Sequence, residues 1–140
     1  MARFSVNGID ELMLDFTALA DLPEEAAEDM LLAEAAVVEK EQKETGRKMG
    51  VHRTGVTLGS ITHGKAKRER DGSISMYVSP QGKNAQGNRN AEVAFVNEYG
   101  VPKRKIQARP FIRTANKKAA KPAVDAAEKV YDEYLKKKNL

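Results

Sequence analysis

The first twenty residues carry two successive patterns of apolar side chains. Phe4-Ser5-Val6 alternates between apolar and polar positions, which predicts a short edge strand. From Asn7 onward the apolar residues recur at three- and four-residue intervals, which predicts an amphipathic helix capped by Asn7. The stripe of this helix consists of Ile9, Leu12, Met13, Phe16 and Leu19.

A second and longer helix is predicted to run to about Glu44. Asp21 and Glu24 have the spacing of a capping box, and Pro23 suits the first helical turn. We expect Gly46 to end this helix. Its predicted inward stripe consists of Ala27, Met30, Leu31, Ala35 and Val38. Because alanine is prominent in the stripe, we expect close packing against another layer, most simply a sheet.

The middle of the chain carries the signals of a β-hairpin. An apolar segment from Val56 to Ile61 leads into a charged run, and Asp71-Gly72 predicts a type I′ turn. The returning strand, residues 73–78, is expected to place its apolar side chains on one face, namely Ile74, Met76 and Val78. The charged arm should form an exposed tip, with candidate interface residues Lys67, Arg68 and Arg70.

Residues 80–92 are expected to form a loop without an anchor in the core. Up to Asn90 this segment has no apolar side chain larger than that of Ala85. Long loops inside a compact domain are commonly functional or disordered. Lys83 and Arg89 are therefore further candidate interface residues.

Residues 91–115 predict a helix, a stop and a second helix. Val93, Val96 and Tyr99 recur at helical spacing beside Phe95, and Gly100 is expected to end the helix in a conformation with positive φ. The basic insert contributes Lys103, Arg104 and Lys105 as candidate interface residues. The residues assigned to this structural corner and its interface are Phe95, Tyr99, Gly100, Arg109, Pro110, Phe111 and Arg113.

Pro110 suits the start of the second helix, and both Phe95 and Phe111 are expected to bury their rings. Phe111 is predicted to be a core anchor, and Arg109 and Arg113 are expected to make interface or backbone-carbonyl contacts beside it. Pro122 is expected to start or kink the last helix, whose stripe consists of Val124, Ala127, Tyr131 and Tyr134.

Composition limits the class of protein. A chain of 140 residues without cysteine predicts one domain, residues 1–140, with no disulfide or thiol chemistry. It has no apolar run of the ~20 residues that span a bilayer, so we expect no membrane association and synthesis in the cytoplasm. Residues 1–49 hold 5 Lys or Arg and 12 Asp or Glu, whereas residues 50–140 hold 19 and 8. The two halves thus have opposite net charge.

Catalytic chemistry has little support in the sequence. His52 and His63 lie in polar segments without cysteine or an acidic cluster nearby, and no serine has the context of a hydrolase nucleophile. We therefore predict neither an enzyme nor a metal or cofactor site. The basic half leaves two alternatives: contact with phosphate in a nucleic acid, or contact with the acidic half of a neighbouring copy.

The order of parts resembles the tail-component family of long-tailed bacteriophages, the small neck proteins that include tail terminators and tail-completion (head–tail joining) proteins. The resemblance spans about residues 10–135 and rests on the helix LPEEAAEDMLLAEAAVVEKEQKE, the segment Thr54-Gly55-x-x-Leu58-x-Ser60-Ile61, and FVNEYG followed by ARPFIRTA. The family's pattern resembles T-G-x-L-x-x-S-I, F-V-E-x-G and A-R-P-F-L-R-P-A. Here Leu58 comes one position late, Asn97-Glu98 replaces a single glutamate, and Thr114 replaces the second proline.

This resemblance implies an α+β fold, a small antiparallel sheet packed against two or more helices, assembled as a ring of six copies. Such a ring would cap the tail tube in the virion and join it to the head connector. It would contact the tail tube protein, the head-completion or connector proteins and, transiently and without sequence readout, the genomic DNA. The alternative is a small basic nucleic-acid-binding protein.

Overall fold

A computed structural model describes residues 3–7, 11–15, 24–51 and 55–137 of the chain. The helices are α1 (Glu24–Lys48), α2 (Val56–Gly59), α3 (Asn90–Tyr99) and α4 (Phe111–Lys137), with a 3-10 turn at Pro102–Arg104. The strands are β1 (Arg3–Asn7), β2 (Glu11–Asp15), β3 (Ile61–His63), β4 (Lys67–Arg68), β5 (Ile74–Ser75) and β6 (Val78–Pro80). All pairings among these strands are antiparallel. The predicted α+β class with small antiparallel sheets is therefore confirmed.

The N-terminal segment is a pair of strands, so the predicted first helix is wrong. β1 contains the expected Phe4–Val6 strand, but Glu11–Asp15 pairs with it antiparallel, with Phe4 opposite Leu14 and Val6 opposite Leu12. Leu12-Met13-Leu14 fits either period, because a short apolar run satisfies both helical and strand spacing. Asn7-Gly8 is a turn signal that the helical interpretation overlooked. The other members of the predicted stripe, Ile9, Phe16 and Leu19, lie outside the described residues.

α1 follows the prediction closely on its inward face. The five residues predicted to face inward are all buried. The capping residues Asp21 and Pro23 lie outside the described residues. The main layer against which α1 packs is the helix α4, whereas a sheet was expected; β3 also lies against α1. Small side chains on both helices let their backbones approach, and these buried alanines are Ala27, Ala35, Ala115, Ala119, Ala123 and Ala127.

Gly46 lies inside α1 and does not end it, since the helix continues to Lys48. The residue is fixed by packing: a Cβ at Gly46 would overlap the side chain of Leu58 and would lie 3.2 Å from Cδ2 of Phe111. Gly50, with φ at 84°, takes the positive-φ position after the helix that was expected of Gly46. The absence of a side chain at Gly46 thus lets α2 and the start of α4 pack against the end of α1.

The predicted hairpin is present but begins later than expected. Val56 and Leu58 belong to the single helical turn α2, and strand structure starts at Ile61. β3 pairs with β6 and β4 pairs with β5, so both pairs belong to one hairpin with a one-residue shift of register between them. Ile74, Met76 and Val78 are buried, but Ser73 and Ser75 are buried too, and the predicted returning strand is divided into β5 and β6.

The turn of this hairpin has the predicted position and a different type. Gly72 has φ at 90°, but Asp71 does not have positive φ, as a type I′ turn would require. The carboxylate of Asp71 instead accepts hydrogen bonds from the backbone N–H of Ser73 at 3.0 Å and from its hydroxyl at 2.6 Å. The loop is closed by the backbone N–H of Glu69, which donates to the carbonyl of Ser73.

The last helix runs unbroken through Pro122, so the expectation that Pro122 starts it is wrong. Pro122 is exposed. Of the predicted stripe, Ala127 is buried while Val124, Tyr131 and Tyr134 are half-buried. The buried alanines of α4 recur every four residues from Ala115 to Ala127, mostly before the predicted stripe, on a helix that packs mainly against α1.

Candidate functional site

The corner between α3 and α4 is fixed by a tight loop. Gly100 has φ at 70° and ψ at 176°, a region almost restricted to glycine. A Cβ there would lie 2.6 Å from the carbonyl oxygen of Ile106 and 2.7 Å from the nitrogen of Ala108. Val101 and Ile106 exchange both backbone hydrogen bonds, which closes the basic insert into a loop. The predicted stop at Gly100 is thus confirmed, with close backbone approach as an additional reason.

A buried carboxylate joins α3 to the first turn of α4. Glu98 is fully buried, and its Oε2 accepts a hydrogen bond from the backbone N–H of Ile112 at 2.9 Å. Its Oε1 accepts one from the N–H of Arg113 at 3.2 Å and lies 3.7 Å from the guanidinium Nε of Arg113. These are donors that the helix itself cannot satisfy, and the helix dipole favours negative charge at this end. Glu98 therefore holds the two helices in one fixed relation.

The aromatic residues of α3 point away from the core. Phe95 is 54% exposed and Tyr99 is 47% exposed, so the expectation that Phe95 buries its ring is wrong. Their ring centroids are 4.8 Å apart with planes inclined at 54°. The buried face of α3 consists of Asn90, Ala94 and Glu98. The predicted apolar face was misplaced because Glu98 and Asn90 take inward positions through their hydrogen bonds.

Three exposed cations lie next to this aromatic pair along the chain. Lys103, Arg104 and Lys105 are all exposed, and within the described residues none of them forms an ion pair. Lys105 adopts the left-handed conformation with φ at 57°, just before Ile106 pairs with Val101. We name Phe95, Tyr99 and Lys103–Lys105 the corner patch. It presents two exposed aromatic rings on the last turns of α3 and three cations on the hydrogen-bonded loop that follows.

The two arginines of the corner have structural contacts. Arg109 donates from Nη1 to the carbonyl oxygen of Gly50 at 3.2 Å, and its backbone N–H donates to Asn97. Arg113 lies beside Glu98 as described. These arginines were expected to make either interface contacts or contacts with backbone carbonyls. Arg109 makes the backbone-carbonyl contact. Phe111 is fully buried, so its predicted place in the core is confirmed.

The remaining candidate residues lie elsewhere in the fold. Lys67, Arg68 and Arg70 are exposed on the hairpin tip, where β5 packs beside α1 and β2. Lys83 and Arg89 are exposed in the loop before α3, at the end of that helix opposite the corner. The candidate interface residues therefore belong to three different segments, and Lys103–Lys105 belong to the one that directly follows the aromatic pair in the chain.

The loop before α3 supports itself, contrary to the expectation that nothing anchors it. Oδ1 of Asn84 accepts hydrogen bonds from the backbone N–H groups of Gln86 and Asn88, both at 3.0 Å. Asn90 is buried and donates from Nδ2 to the carbonyl of Gln81 at 2.8 Å. Asparagine side chains take the place of apolar contacts here, so the lack of large apolar residues did not reveal how the loop is held.

The interior of the α1–α4 pair contains polar groups that the sequence interpretation overlooked. Gln42 donates from Nε2 to Oδ1 of Asn116 at 2.8 Å, and both residues are buried. Glu34 is fully buried, and neither of its carboxylate oxygens has a hydrogen-bond partner within the described residues. Their spacing in the sequence indicates that they face inward, because Glu34 and Gln42 each lie four residues from the inward-facing Val38.

Burial raises the pKa of the Glu34 carboxyl to about 8. The folded protein therefore keeps a proton that the unfolded chain, with a carboxyl pKa near 4.5, releases. The folded state consequently loses stability as the pH rises from about 4.5 to about 8, by up to about 1.4 kcal/mol per pH unit.

We expect Glu34→Gln to remove this loss of stability. Relative to the wild type, the free energy of unfolding of the variant should therefore increase between pH 6 and pH 8. Urea unfolding at several pH values measures it. Glu28→Gln is the matched control, because Glu28 is exposed on the same helix. Parallel pH profiles for the wild type and Glu34→Gln would contradict the prediction.

Within the residues that the structure describes, no three His, Asp or Glu side chains converge to hold a metal ion. His63 Nδ1 lies 2.7 Å from Oε1 of Glu39, while His52 lies outside the described residues. None of the described helices combines the length and apolar character needed to cross a bilayer.

Comparisons of the chain with protein-family models, with curated protein sequences and with solved structures found no match.

Proposed function

We propose that this chain is a structural virion protein of the neck of long-tailed bacteriophages, a tail terminator or tail-completion protein. In this role it forms a ring of six copies that caps the tail tube and joins it to the head connector. The proposal rests on the sequence resemblance described above and on the corner patch. Both alternatives within the family, termination and completion, are compatible with these features.

The exposed aromatic pair is the observation that carries the proposal. Phe95 and Tyr99 are about half exposed on a corner whose backbone is fixed by Gly100 and by the buried Glu98. Aromatic residues and arginine are enriched in protein–protein interfaces, where burial of the rings supplies binding energy. A rigid element loses little conformational freedom on binding. The patch is thus suited to permanent contact with another protein surface.

Oligomeric mass tests the proposal. The purified protein at physiological salt should have six times the 15.4 kDa protomer mass, and electron microscopy should show rings. Phe95→Ser with Tyr99→Ser should give monomers whose unfolding stability is close to that of the wild type. Gln86→Ser, an exposed change in the loop before α3, is the control and should leave the ring intact.

A phage that lacks the protein should accumulate unjoined heads and tails, or tails of uncontrolled length. A wild-type protein that remains monomeric at all concentrations, or normal infectious particles formed without it, would overturn the neck assignment.

Nucleic-acid binding is the second candidate, since exposed aromatic rings beside cations also suit single-stranded nucleic acid. Salt weakens both kinds of contact and does not separate them. Lys103→Glu, Arg104→Glu and Lys105→Glu together separate them, because a phosphate backbone cannot compensate for the reversed charge. Loss of oligonucleotide binding with assembly unchanged would favour this candidate.

A further inference from the structure

We propose that the corner patch of one copy docks on the acidic end of α1 in a second copy, with its aromatic pair in the groove beside Leu32. This inference rests on the proposed function, since it names the surfaces through which the ring closes. The occupant to which we commit is a second copy of this chain.

The groove lies between α1 and the β3–β4 arm of the hairpin and has a volume of about 360 Å³. Leu32 is 41% exposed on one wall, and Ala66 forms part of the other. Met76, buried to 4% exposure, lines the groove from the core side. The groove therefore offers apolar contacts to a ring that is itself half exposed.

The two walls of the groove carry different charges. Glu28 lines it on α1, and Glu25 and Asp29 are exposed on the same helix, without an ion pair within the described residues. Lys65 and His63 line the opposite wall, where Glu39 already contacts His63. The α1 side is thus the negative side, complementary to the unpaired cations of the corner patch.

The groove lies toward the N-terminal part of α1, and the corner lies at the C-terminal end of α1. Gly46, near the C-terminal end of α1, packs against Leu58 and Phe111, which belong to the corner end. Glu28 precedes Gly46 by eighteen helical residues, roughly 27 Å at 1.5 Å per residue. One copy therefore cannot satisfy its own groove with its own corner patch.

A contact between two different surfaces of identical chains is heterologous. Each copy then uses its patch on one neighbour and its groove on the other, and the chain of contacts closes into a ring when the rotation allows it. In this contact the cations Lys103–Lys105 of the basic half face the carboxylates Glu25, Glu28 and Asp29 of the acidic half.

Cysteine cross-linking tests the contact directly, since the chain contains no cysteine of its own. A mixture of Leu32→Cys and Tyr99→Cys proteins should form a covalent dimer under mild oxidation, and neither protein alone should do so. Ala85→Cys in place of Leu32→Cys is the exposed control and should give none. Dimers of Tyr99→Cys alone would indicate a symmetric contact and overturn the proposal.

Mixing of two blocked proteins tests the head-to-tail arrangement. Leu32→Ser blocks the groove, and Phe95→Ser with Tyr99→Ser blocks the patch; each should weaken self-association at least about 30-fold. Because each blocked protein keeps one intact half, the mixture should stop at dimers containing one copy of each. Rings formed by Leu32→Ser protein would show that the groove is not the docking site.

Charge exchange completes the test. Reversal of Lys103, Arg104 and Lys105 to Glu should weaken assembly, and reversal of Glu25, Glu28 and Asp29 to Lys in the same chain should restore it. Failure of restoration, with wild-type rings present, overturns the docking site and leaves the proposed function standing. A monomeric wild type overturns the proposed function itself, so the two failures are distinguishable.

Discussion

Phe111→Ala is expected to destabilise the protein by about 3–5 kcal/mol, as truncations of buried phenylalanine do. Phe111 is fully buried, and its ring lies where α1, α2 and α4 meet near Gly46. Because three elements converge there, the surrounding structure can close the resulting cavity only in part. Urea unfolding of the purified variant measures the change in the free energy of unfolding.

Phe95→Ala is the matched control, since it removes the same side chain from a position that is 54% exposed. We expect a change of about 1 kcal/mol or less, chiefly from the lost contact with Tyr99. The order should be reversed for oligomer formation. At temperatures at which both proteins are folded, Phe95→Ala should weaken ring assembly more than Phe111→Ala does. A loss below about 1 kcal/mol for Phe111→Ala would contradict its place in the core.

Glu98→Ala is expected to cost about 2–4 kcal/mol, because it leaves buried donors at the start of α4 without an acceptor. The N–H groups of Ile112 and Arg113 both depend on this carboxylate, and the Arg113 guanidinium loses its neighbouring charge. Glu98→Gln should cost less, since the amide keeps one acceptor oxygen. Equilibrium unfolding and the exchange rate of the Ile112 amide hydrogen measure the two consequences.

Glu92→Ala is the control for this experiment. Glu92 is on the same helix, is exposed, and lies 3.9 Å from Arg89, a surface pair that contributes little. We expect a change within about 0.5 kcal/mol. Equal effects of Glu92→Ala and Glu98→Ala would show that the carboxylate does not hold the corner together.

Glu34 and Glu98 are expected to affect different properties of the protein. Glu34 acts through pH, whereas Glu98 acts through the geometry of the aromatic pair that we propose as an interface. Glu34→Gln should therefore leave assembly at neutral pH unchanged. Glu98→Ala should weaken assembly even where the protein remains folded, because the patch is no longer held in one orientation.

Local signals in the sequence determined the parts whose structure depends on near neighbours. The inward stripe of α1 followed from helical spacing, Gly100 marked the end of α3, and Pro110 marked the start of α4. In each case the residues that fix the conformation lie within one or two turns of one another. The position of the Asp71-Gly72 turn was also predicted from local signals, whereas its type was not, although the hydrogen bonds from Ser73 to Asp71 that accompany it are local as well.

Tertiary structure decided the features that depend on residues far apart in the chain. Glu98 faces inward because donors fourteen and fifteen residues later need an acceptor, and this places Phe95 and Tyr99 outside. Glu11–Asp15 is a strand because it pairs with β1, although its spacing also fits a helix. Position 46 needs a glycine inside α1 because Leu58 and Phe111 pack where a side chain would be. The spacing of apolar residues shows which faces of a helix or strand can be buried. Which face is in fact buried depends on the element that packs against it.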